Sequence, residues 1–514
     1  MQRPSPKRPA IVLLLILLSC SSKLLWYAVT PPFEAPDEAM HFDFVRYIAA
    51  ERRLPDARPE SREGWGVYEW IQPPLYYMLL APAVAAMGVE LPDAPGNPNG
   101  RFQAGPSART FYWDGKRGRG TDALFVARLI SLGLSLLTVL FVYRAAATAL
   151  GSAEQAAIVS ASLAVIPQFG FLTAAVSNDT LTATLSSATV ALLLTVWSTP
   201  RLSMTNATLV GLCAGGAVVS KISAAYLFPM IAVAVMFRSA GQRARAVAYL
   251  VVSAASATLT AGWYFARNAM VFGDPLATTF KLDLLADVAM PLDRTLTDPH
   301  FYTRLPADVF LSFWGAFGWG TILAPPGAFL VFAAITGTFA GVSVAYVTEI
   351  AGFGCRTNRS RRAVAGLAAA AGAFACWNAY SLRSMITGGG ISLSDAVLTV
   401  VAATVSFSAV VLAKRDTHVV QQEREMALTL MSGIVVLVVM FVSYNMSWHA
   451  SQARLLYPAI APTAIVVALA IRSAGRRPGA IAAKRWVIPA VLAALGMAWI
   501  VCLFTGYRGL HIGA

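Results

Sequence analysis

Residues Ile11 to Phe42 read IVLLLILLSCSSKLLWYAVTPPFEAPDEAMHF, an apolar run followed at once by a cluster of acids. The run from Ile11 to Val29 has the length of a membrane-spanning helix, which needs about 17–25 apolar residues. A proline pair ends the run, and Glu34, Asp37 and Glu38 follow where the chain leaves the bilayer. Carboxylates at a membrane surface are candidates for proton transfer or metal binding. The opening therefore predicts a membrane protein with an acidic site beside its first span.

The same run also resembles a secretion signal, because Arg3, Lys7 and Arg8 precede it and a Leu-Leu-Ser-Cys segment ends at Cys20. However, the apolar run continues past Cys20 through Trp26, and runs of similar length recur along the chain. We therefore expect it to be retained as a first transmembrane helix, with the N-terminus on the cytoplasmic side.

Composition agrees with a membrane protein. Hydrophobic residues make up 57% of the 514 residues and charged residues 13%, against about 45–50% and about 25% in an average soluble domain. The formal net charge is +14, but the Lys and Arg residues lie in short clusters between apolar runs. That pattern is typical of cytoplasmic loops and argues against nucleic acid as a partner. The 5 cysteines are scattered, without a disulfide or metal-binding spacing.

Apolar windows and basic clusters together predict an all-α, polytopic fold with about thirteen spans and short juxtamembrane helices in the external loops. The predicted spans are 11–29, 122–143, 153–172, 179–197, 205–220, 222–237, 246–264, 325–348, 363–382, 393–413, 427–446, 455–471 and 486–504. The short spans on either side of Lys221 fit a re-entrant hairpin equally well. The long segments 30–121 and 265–310 are predicted to be external. Residues 1–472 form the expected catalytic module, and residues 473–514 form a basic cytoplasmic linker with a last span.

This topology places several charged residues at the external ends of helices. Apart from one adjacent pair they are distant in sequence: Asp37, Glu38, Asp179, Lys221, Arg267 and Arg454. Active sites often lie in loops that a rigid scaffold positions. We therefore expect one site on the external side of the membrane.

Motifs along the chain resemble those of the GT-C glycosyltransferases, which include the bacterial aminoarabinose-lipid A transferases and the eukaryotic protein O-mannosyltransferases. A bacterial polytopic branch of that fold is more similar still. The resemblance extends from Ala10 to about Arg472. The motifs are PPFEAPDEAMHF at Pro31–Phe42, QPPLYY at Gln72–Tyr77, ARLIS at Ala127–Ser131, VSNDTL at Val176–Leu181, WYFARNAMVFGDPL at Trp263–Leu276, SFWGAFGW at Ser312–Trp319 and QARLLYP at Gln452–Pro458.

The resemblance implies transfer of a sugar, usually with inversion, from a polyprenyl-phosphate carrier to an envelope glycan, lipid or protein. The reaction would occur on the outer side of the bacterial cytoplasmic membrane. An acceptor hydroxyl needs a base, and Asp37 is the candidate, with Glu38 and Asp179 as further acids. The leaving phosphate needs positive charge, which either cationic side chains or a divalent metal ion at Asp37 and Glu38 would supply. Lys221, Arg267 and Arg454 are the candidate cations, and Arg454 has the fork that suits phosphate.

Several of these residues have a simpler alternative role. Asp37 and Glu38 could cap or favour the following helix, and either Asp179 or Asn178 could be an N-cap. His41 is either a ligand of a metal or substrate or an ordinary packing residue.

Lys221 is either a phosphate contact or a residue whose amine reaches the membrane interface. Arg267 and Asn268 either position substrate or precede a turn at Gly273–Pro275. Gln72 stands where the named relatives often carry Lys or His, so a charged donor contact is absent there. The region 84–120 could contribute to acceptor choice.

Aromatic residues in SFWGAFGW, namely Phe313, Trp314, Phe317 and Trp319, form either an interfacial belt or a surface for stacking a sugar.

Two other functions are alternatives to sugar transfer. A transporter or lipid flippase would carry ionisable residues at mid-membrane depth and inverted repeats, neither of which is clear here. A non-catalytic scaffold would need no acidic pair. The expected partners are a polyprenyl-phosphate sugar, an envelope acceptor and membrane lipids.

Overall fold

A computed structural model describes residues 8–56, 69–88, 119–286, 294–302, 304–320, 322–350, 420–448, 450–474 and 495–505. Within these ranges the chain is largely helical, which confirms the predicted fold class. The α-helices are α1 Arg8–Val29, α2 Glu38–Glu51, α3 Leu75–Met87, α4 Arg119–Leu150, α5 Ala153–Ala164, α6 Pro167–Thr173, α7 Asn178–Leu194, α8 Met204–Val218, α9 Leu227–Arg238, α10 Arg243–Phe272, α11 Thr278–Ala286, α12 Arg304–Trp314, α13 Pro326–Ile350, α14 Gln421–Ser447 and α15 Ile460–Ala474. Short 3-10 helices are Glu69–Ile71, Thr195–Trp197, Ile222–Tyr226, Pro299–Phe301 and Ala453–Ala459. Strands β1 Ala316–Phe317 and β2 Ile322–Leu323 pair antiparallel.

The described helices confirm a multi-pass architecture. In this part of the chain, 7 helices are long and apolar enough to cross a membrane, or up to 8 if one bent pair counts as a single span. Helices α8 and α9 are shorter than a full span, and so is the segment Leu495–Thr505. The predicted spans 363–382 and 393–413 lie outside the described residues, so the total of about thirteen stays a prediction.

The predicted span 153–172 is broken into α5 and α6, which bend by 68° relative to each other. Pro167 is the first residue of α6, and Ile166 before it is extended. A proline disfavours helical backbone in the residue before it and cannot donate a backbone hydrogen bond, so it breaks the helix at this position. The break brings α6 to the loop that precedes α7.

Helices α8 and α10 approach each other closely because of two glycines. A Cβ atom at Gly211 would lie 2.2 Å from the Ser253 carbonyl oxygen, and one at Gly215 would lie 2.6 Å from the Ala257 carbonyl oxygen. Small residues allow such close contact between membrane helices. The contact fixes the end of α8, from which the chain runs to Lys221.

Helix α10 is longer than predicted. It continues to Phe272 and ends at Gly273, whose φ of 73° is the left-handed value that favours glycine at a helix C-terminus. Arg267 and Asn268 therefore lie inside a helix, and the prediction that they belong to an external loop beginning near residue 265 is wrong.

The last described segment shares the main hydrophobic core. Leu495, Ala498 and Cys502 are buried in the same cluster as Trp26 of α1. The predicted division at residue 472 stays a prediction, because residues 475–494 lie outside the described ranges.

Candidate active site

Asp37 begins α2 in an unusual backbone conformation. Its φ of 60° and ψ of 5° are left-handed values, which few residues other than glycine, asparagine and aspartate adopt. Asp37 occupies the N-cap position, yet its carboxylate accepts no backbone N–H of the helix. It pairs instead with the Arg454 guanidinium, 417 positions away, whose other nitrogen donates to the Pro36 carbonyl at 3.4 Å. This geometry does not support the capping alternative for Asp37.

Asp179 lies in the first turn of α7 and pairs with Lys221. Its Oδ1 atom accepts from Lys221 Nζ at 2.5 Å. The N-cap of α7 is Ser177, whose hydroxyl accepts from the Asp179 N–H at 3.3 Å. The alternative in which Asp179 or Asn178 is the cap is therefore excluded, because Ser177 has the extended backbone and the hydroxyl that a cap requires. The Asn178 amide donates to the Ser220 carbonyl at 3.2 Å, next to Lys221.

The two ion pairs act on each other electrostatically. Burial of Asp37 acts to raise its pKa, but the cations Arg454 and Lys221 act in the opposite direction and hold that pKa below its usual value. Asp37 therefore responds to the cations of both pairs. Two carboxylates and two cations thus form one cluster, and a phosphate group would compete with the carboxylates for the cations.

His41 lies one helical turn after Asp37 and is buried. Its Nδ1 atom is 2.8 Å from the Tyr77 hydroxyl and 3.5 Å from Glu69 Oε2. Burial lowers the pKa of His41 to about 3, although the charge of Asp37 acts to raise it. His41 is therefore neutral near pH 7, and its contact with Glu69 is not an ion pair.

Glu69 is a site residue that the sequence analysis missed. It lies on the 3-10 helix Glu69–Ile71, and burial together with the charge of Asp37 raises its pKa to about 7. Lys221, Arg454 and Lys281 act in the opposite direction. Only its position, three residues before Gln72 of the QPPLYY motif, could have drawn attention to it.

Glu38 follows Asp37 directly but faces a different partner. Its carboxylate pairs with the fully buried Arg128, at 2.7 Å from Nε to Oε1 and 2.5 Å from Nη2 to Oε2. Backbone N–H groups of Phe33 and Val176 donate to the same carboxylate at 3.0 and 2.9 Å. Arg128 also donates to the carbonyls of Thr30 and Pro31, at 2.7 and 2.8 Å.

This network joins the end of α1, the start of α2, α4 and the loop before α7. Both oxygens of Glu38 are occupied, so the geometry favours a positioning role for Glu38. Arg128 belongs to the ARLIS motif, but the sequence analysis did not select it as a site residue.

The predicted metal site does not fit the described residues. Asp37 faces Arg454, whereas Glu38 faces Arg128, so the two carboxylates do not converge. Among the residues that the structure describes, no group of three His, Cys, Asp or Glu side chains could hold a metal ion. Metal dependence stays a prediction.

Gln72, Arg267 and Asn268 lie together in a pocket of their own, beside Trp70 and Phe272. The Arg267 guanidinium lies 5.4 Å from the Phe272 ring centre and donates to backbone carbonyls of the loop after α2. In the described part of the chain its hydrogen bonds do not reach the Asp37 cluster. These three residues therefore form a second group, apart from the four charges of the ion pairs.

The aromatic residues of SFWGAFGW are mainly core residues. Trp314 stacks on Phe332 with 4.5 Å between ring centres, and Phe317 packs 4.7 Å from Trp26. Trp319 donates from its indole to the Phe33 carbonyl at 3.3 Å. The burial of Trp314 and Phe317 contradicts both an interfacial belt and a sugar-stacking surface for these two rings.

Comparison with known proteins agrees with the resemblance drawn from the motifs. Residues 120–264 match the family model described as dolichyl-phosphate-mannose-protein mannosyltransferase. The matched region contains Arg128, Asp179 and Lys221, and over that region it confirms the likeness to GT-C enzymes. The search of curated proteins finds no match.

Two of the solved structures that match this chain have low sequence identity to it. ArnT from Cupriavidus metallidurans, bound to undecaprenyl phosphate, is 16% identical with a TM-score of 0.43, over 96% of this chain and 76% of that one. The oligosaccharyltransferase of Archaeoglobus fulgidus is 15% identical with a TM-score of 0.46, over 97% of this chain and 53% of that one. The chain thus spans about half of the archaeal enzyme.

Proposed function

We propose that this protein is a membrane glycosyltransferase that moves a sugar from a polyprenyl-phosphate carrier to an envelope acceptor. The match of residues 120–264 to the mannosyltransferase family model supports the class of reaction. The observation that carries the proposal is the cluster in which Asp37 pairs with Arg454 and Asp179 pairs with Lys221. It supplies both requirements of the reaction, a base and positive charge for a phosphate.

The cluster gives each side chain a role. The donor phosphate pairs with Arg454 and Lys221 in place of their carboxylates, because a phosphate offers more acceptor oxygens to the same cations. Asp37, released from Arg454, accepts the proton of the acceptor hydroxyl as that oxygen attacks the anomeric carbon. The bond from this carbon to the phosphate oxygen breaks, and the two cations stabilise the charge that develops on the phosphate. Attack opposite the leaving group gives inversion.

The remaining site residues position this chemistry. Glu38 and Arg128 hold the segment from Thr30 to Asp37 in place, and the His41 N–H donates to the Asp37 carbonyl at 2.9 Å. The pocket of Gln72, Arg267 and Asn268 adjoins this site through the 3-10 helix Glu69–Ile71 and is proposed to hold part of the acceptor. We place the protein in the bacterial cytoplasmic membrane with the site facing outward.

A deletion strain tests the function. Mass spectrometry of polyprenyl-linked sugars and envelope glycans should show one polyprenyl-phosphate sugar accumulating and one glycan modification lost. Wild-type protein should restore both, whereas the Asp37→Asn variant should not. An unchanged lipid-linked sugar pool and an unchanged envelope would contradict the proposal.

A further inference from the structure

Glu69 is a buried carboxylate that the proposed reaction leaves without a role. Its Oε2 atom is inaccessible to water and has no hydrogen-bond partner in the part of the chain that the structure describes. His41 lies beside it, with an Nδ1 atom that is 3.5 Å away and already contacts the Tyr77 hydroxyl at 2.8 Å. At that distance His41 makes no hydrogen bond with this oxygen. A buried anion without a donor is costly, so this position favours a bound proton.

Charged and titratable groups from several elements surround Glu69. They are His41 of α2, Tyr77 of α3, Asp37, Lys221, Lys281 of α11, Tyr444 of α14 and Arg454. Asp37 favours the protonated form of Glu69, whereas Lys221, Arg454 and Lys281 favour the ionised form. The charge state of Glu69 therefore depends on whether those cations are free or neutralised.

We propose that Glu69 is a proton-binding residue of the donor site, which takes up a proton when the lipid phosphate pairs with Arg454 and Lys221. The inference rests on the proposed function, because it needs a phosphate at those two cations. The proton removes a negative charge that would otherwise repel the donor. No covalent bond changes in this step, and the proton comes from water.

The charges around Glu69 determine how donor affinity changes with pH. The pKa of Glu69 in the free protein is about 7. A phosphate at Arg454 and Lys221 adds negative charge nearby and raises that pKa further. Proton uptake on binding is therefore small well below pH 7 and largest just above it. By linkage, donor affinity falls as the pH rises above 7, by at most about tenfold per pH unit for one proton.

Titration calorimetry with the methyl diester of undecaprenyl phosphate tests the proposal. This diester keeps one negative charge from pH 5 to pH 9, so its own titration does not contribute. Measurements on the purified full chain in two buffers of different ionisation enthalpy give the number of protons taken up. We expect uptake near pH 7.5, and a Glu69→Gln variant that shows none. At pH 8 this variant should bind as tightly as the wild type does at pH 6, because Gln resembles the protonated acid.

Glu51→Gln is the matched control, since Glu51 is an exposed glutamate at the end of α2. It should behave as the wild type. Infrared spectra of the wild type also give a result that does not depend on the folding of a variant: a carboxylic acid band should persist at pH 6.5 and grow when the diester binds.

The outcomes separate the two claims. Binding of the diester that is independent of pH, with no proton uptake by the wild type, would overturn the role of Glu69 and leave the proposed function intact. Failure of the wild type to bind the diester at any pH would overturn both.

Discussion

Among the single residues of the site, Asp37 is the one whose replacement we expect to reduce turnover most. Replacing it with Asn keeps the size of the side chain but removes the basic oxygen, so turnover should fall by about 10²–10⁴-fold. Donor binding should be as tight as in the wild type or tighter, because Arg454 loses its competing carboxylate. Single-turnover assays in proteoliposomes measure the rate, and direct lipid binding measures affinity.

Asp298→Asn is a control for that experiment, because Asp298 caps its own short helix through the His300 N–H and otherwise pairs with the neighbouring Arg294 at 3.7 Å, and Asn can cap equally well. It should leave the rate unchanged. Near wild-type turnover by Asp37→Asn would exclude Asp37 as the base and leave Glu69 or Asp179 as candidates.

Arg454→Lys tests phosphate recognition. Lysine keeps the positive charge but lacks the planar fork that pairs with two oxygens at once. The variant should still insert into the membrane, with a raised KM for the lipid donor and a smaller effect on kcat. Lys221→Arg is the complementary change and should be milder, because it adds donors rather than removing them. An unchanged donor KM in Arg454→Lys would move the phosphate site toward Lys221.

The Glu38–Arg128 network holds several secondary-structure elements together, because it joins α1, α2, α4 and the loop before α7. Removing one partner of a buried ion pair typically costs about 3–5 kcal/mol. Arg128→Met should therefore lower the thermal stability of the purified protein strongly, since it leaves the Glu38 carboxylate buried without its cation. The double variant Glu38→Gln with Arg128→Met should be more stable than Arg128→Met alone.

Thermal unfolding in detergent, with Arg144→Met as an exposed control on the same helix, measures both effects. A double variant no more stable than Arg128→Met would show that backbone contacts of Arg128, rather than the ion pair, hold these elements together. That result would weaken the positioning role given to Glu38.

The membrane helices could be predicted from sequence because apolar length is a local property. The predicted span 246–264 lies within α10, and only its end was misplaced, since the helix continues past residue 264 to Phe272 and ends at Gly273. The pairing of charges could not be predicted in this way. Arg128 lies 90 positions from Glu38, and Arg454 lies 417 positions from Asp37. Only the packing of the helices decides which carboxylate meets which cation.

At the helix N-termini, several neighbouring residues suit the same role, and this explains the remaining differences between prediction and structure. Ser177, Asn178 and Asp179 are all good N-cap residues, so the sequence alone could not select Ser177. Similarly, Asp37 has the residue type of a helix cap, but its left-handed backbone directs the carboxylate to Arg454 instead. The sequence therefore indicates which residues belong to the site better than it indicates which side chain each of them contacts.

The topology of the molecule decides whether the site can work, because an enzyme that modifies the cell envelope needs all its site residues on one side of the membrane. Cysteines introduced at exposed positions of a cysteine-free variant test this arrangement. Ala50→Cys in α2 and Thr297→Cys before α12 should react with an impermeant maleimide in intact cells, because both belong to the segments predicted to be external. Ser198→Cys and Ala240→Cys, in the connections on either side of α8 and α9, should react only after permeabilisation. Labelling of Ala50→Cys only in permeabilised cells would place Asp37 on the cytoplasmic side, and the enzyme could then not use an acceptor outside the membrane.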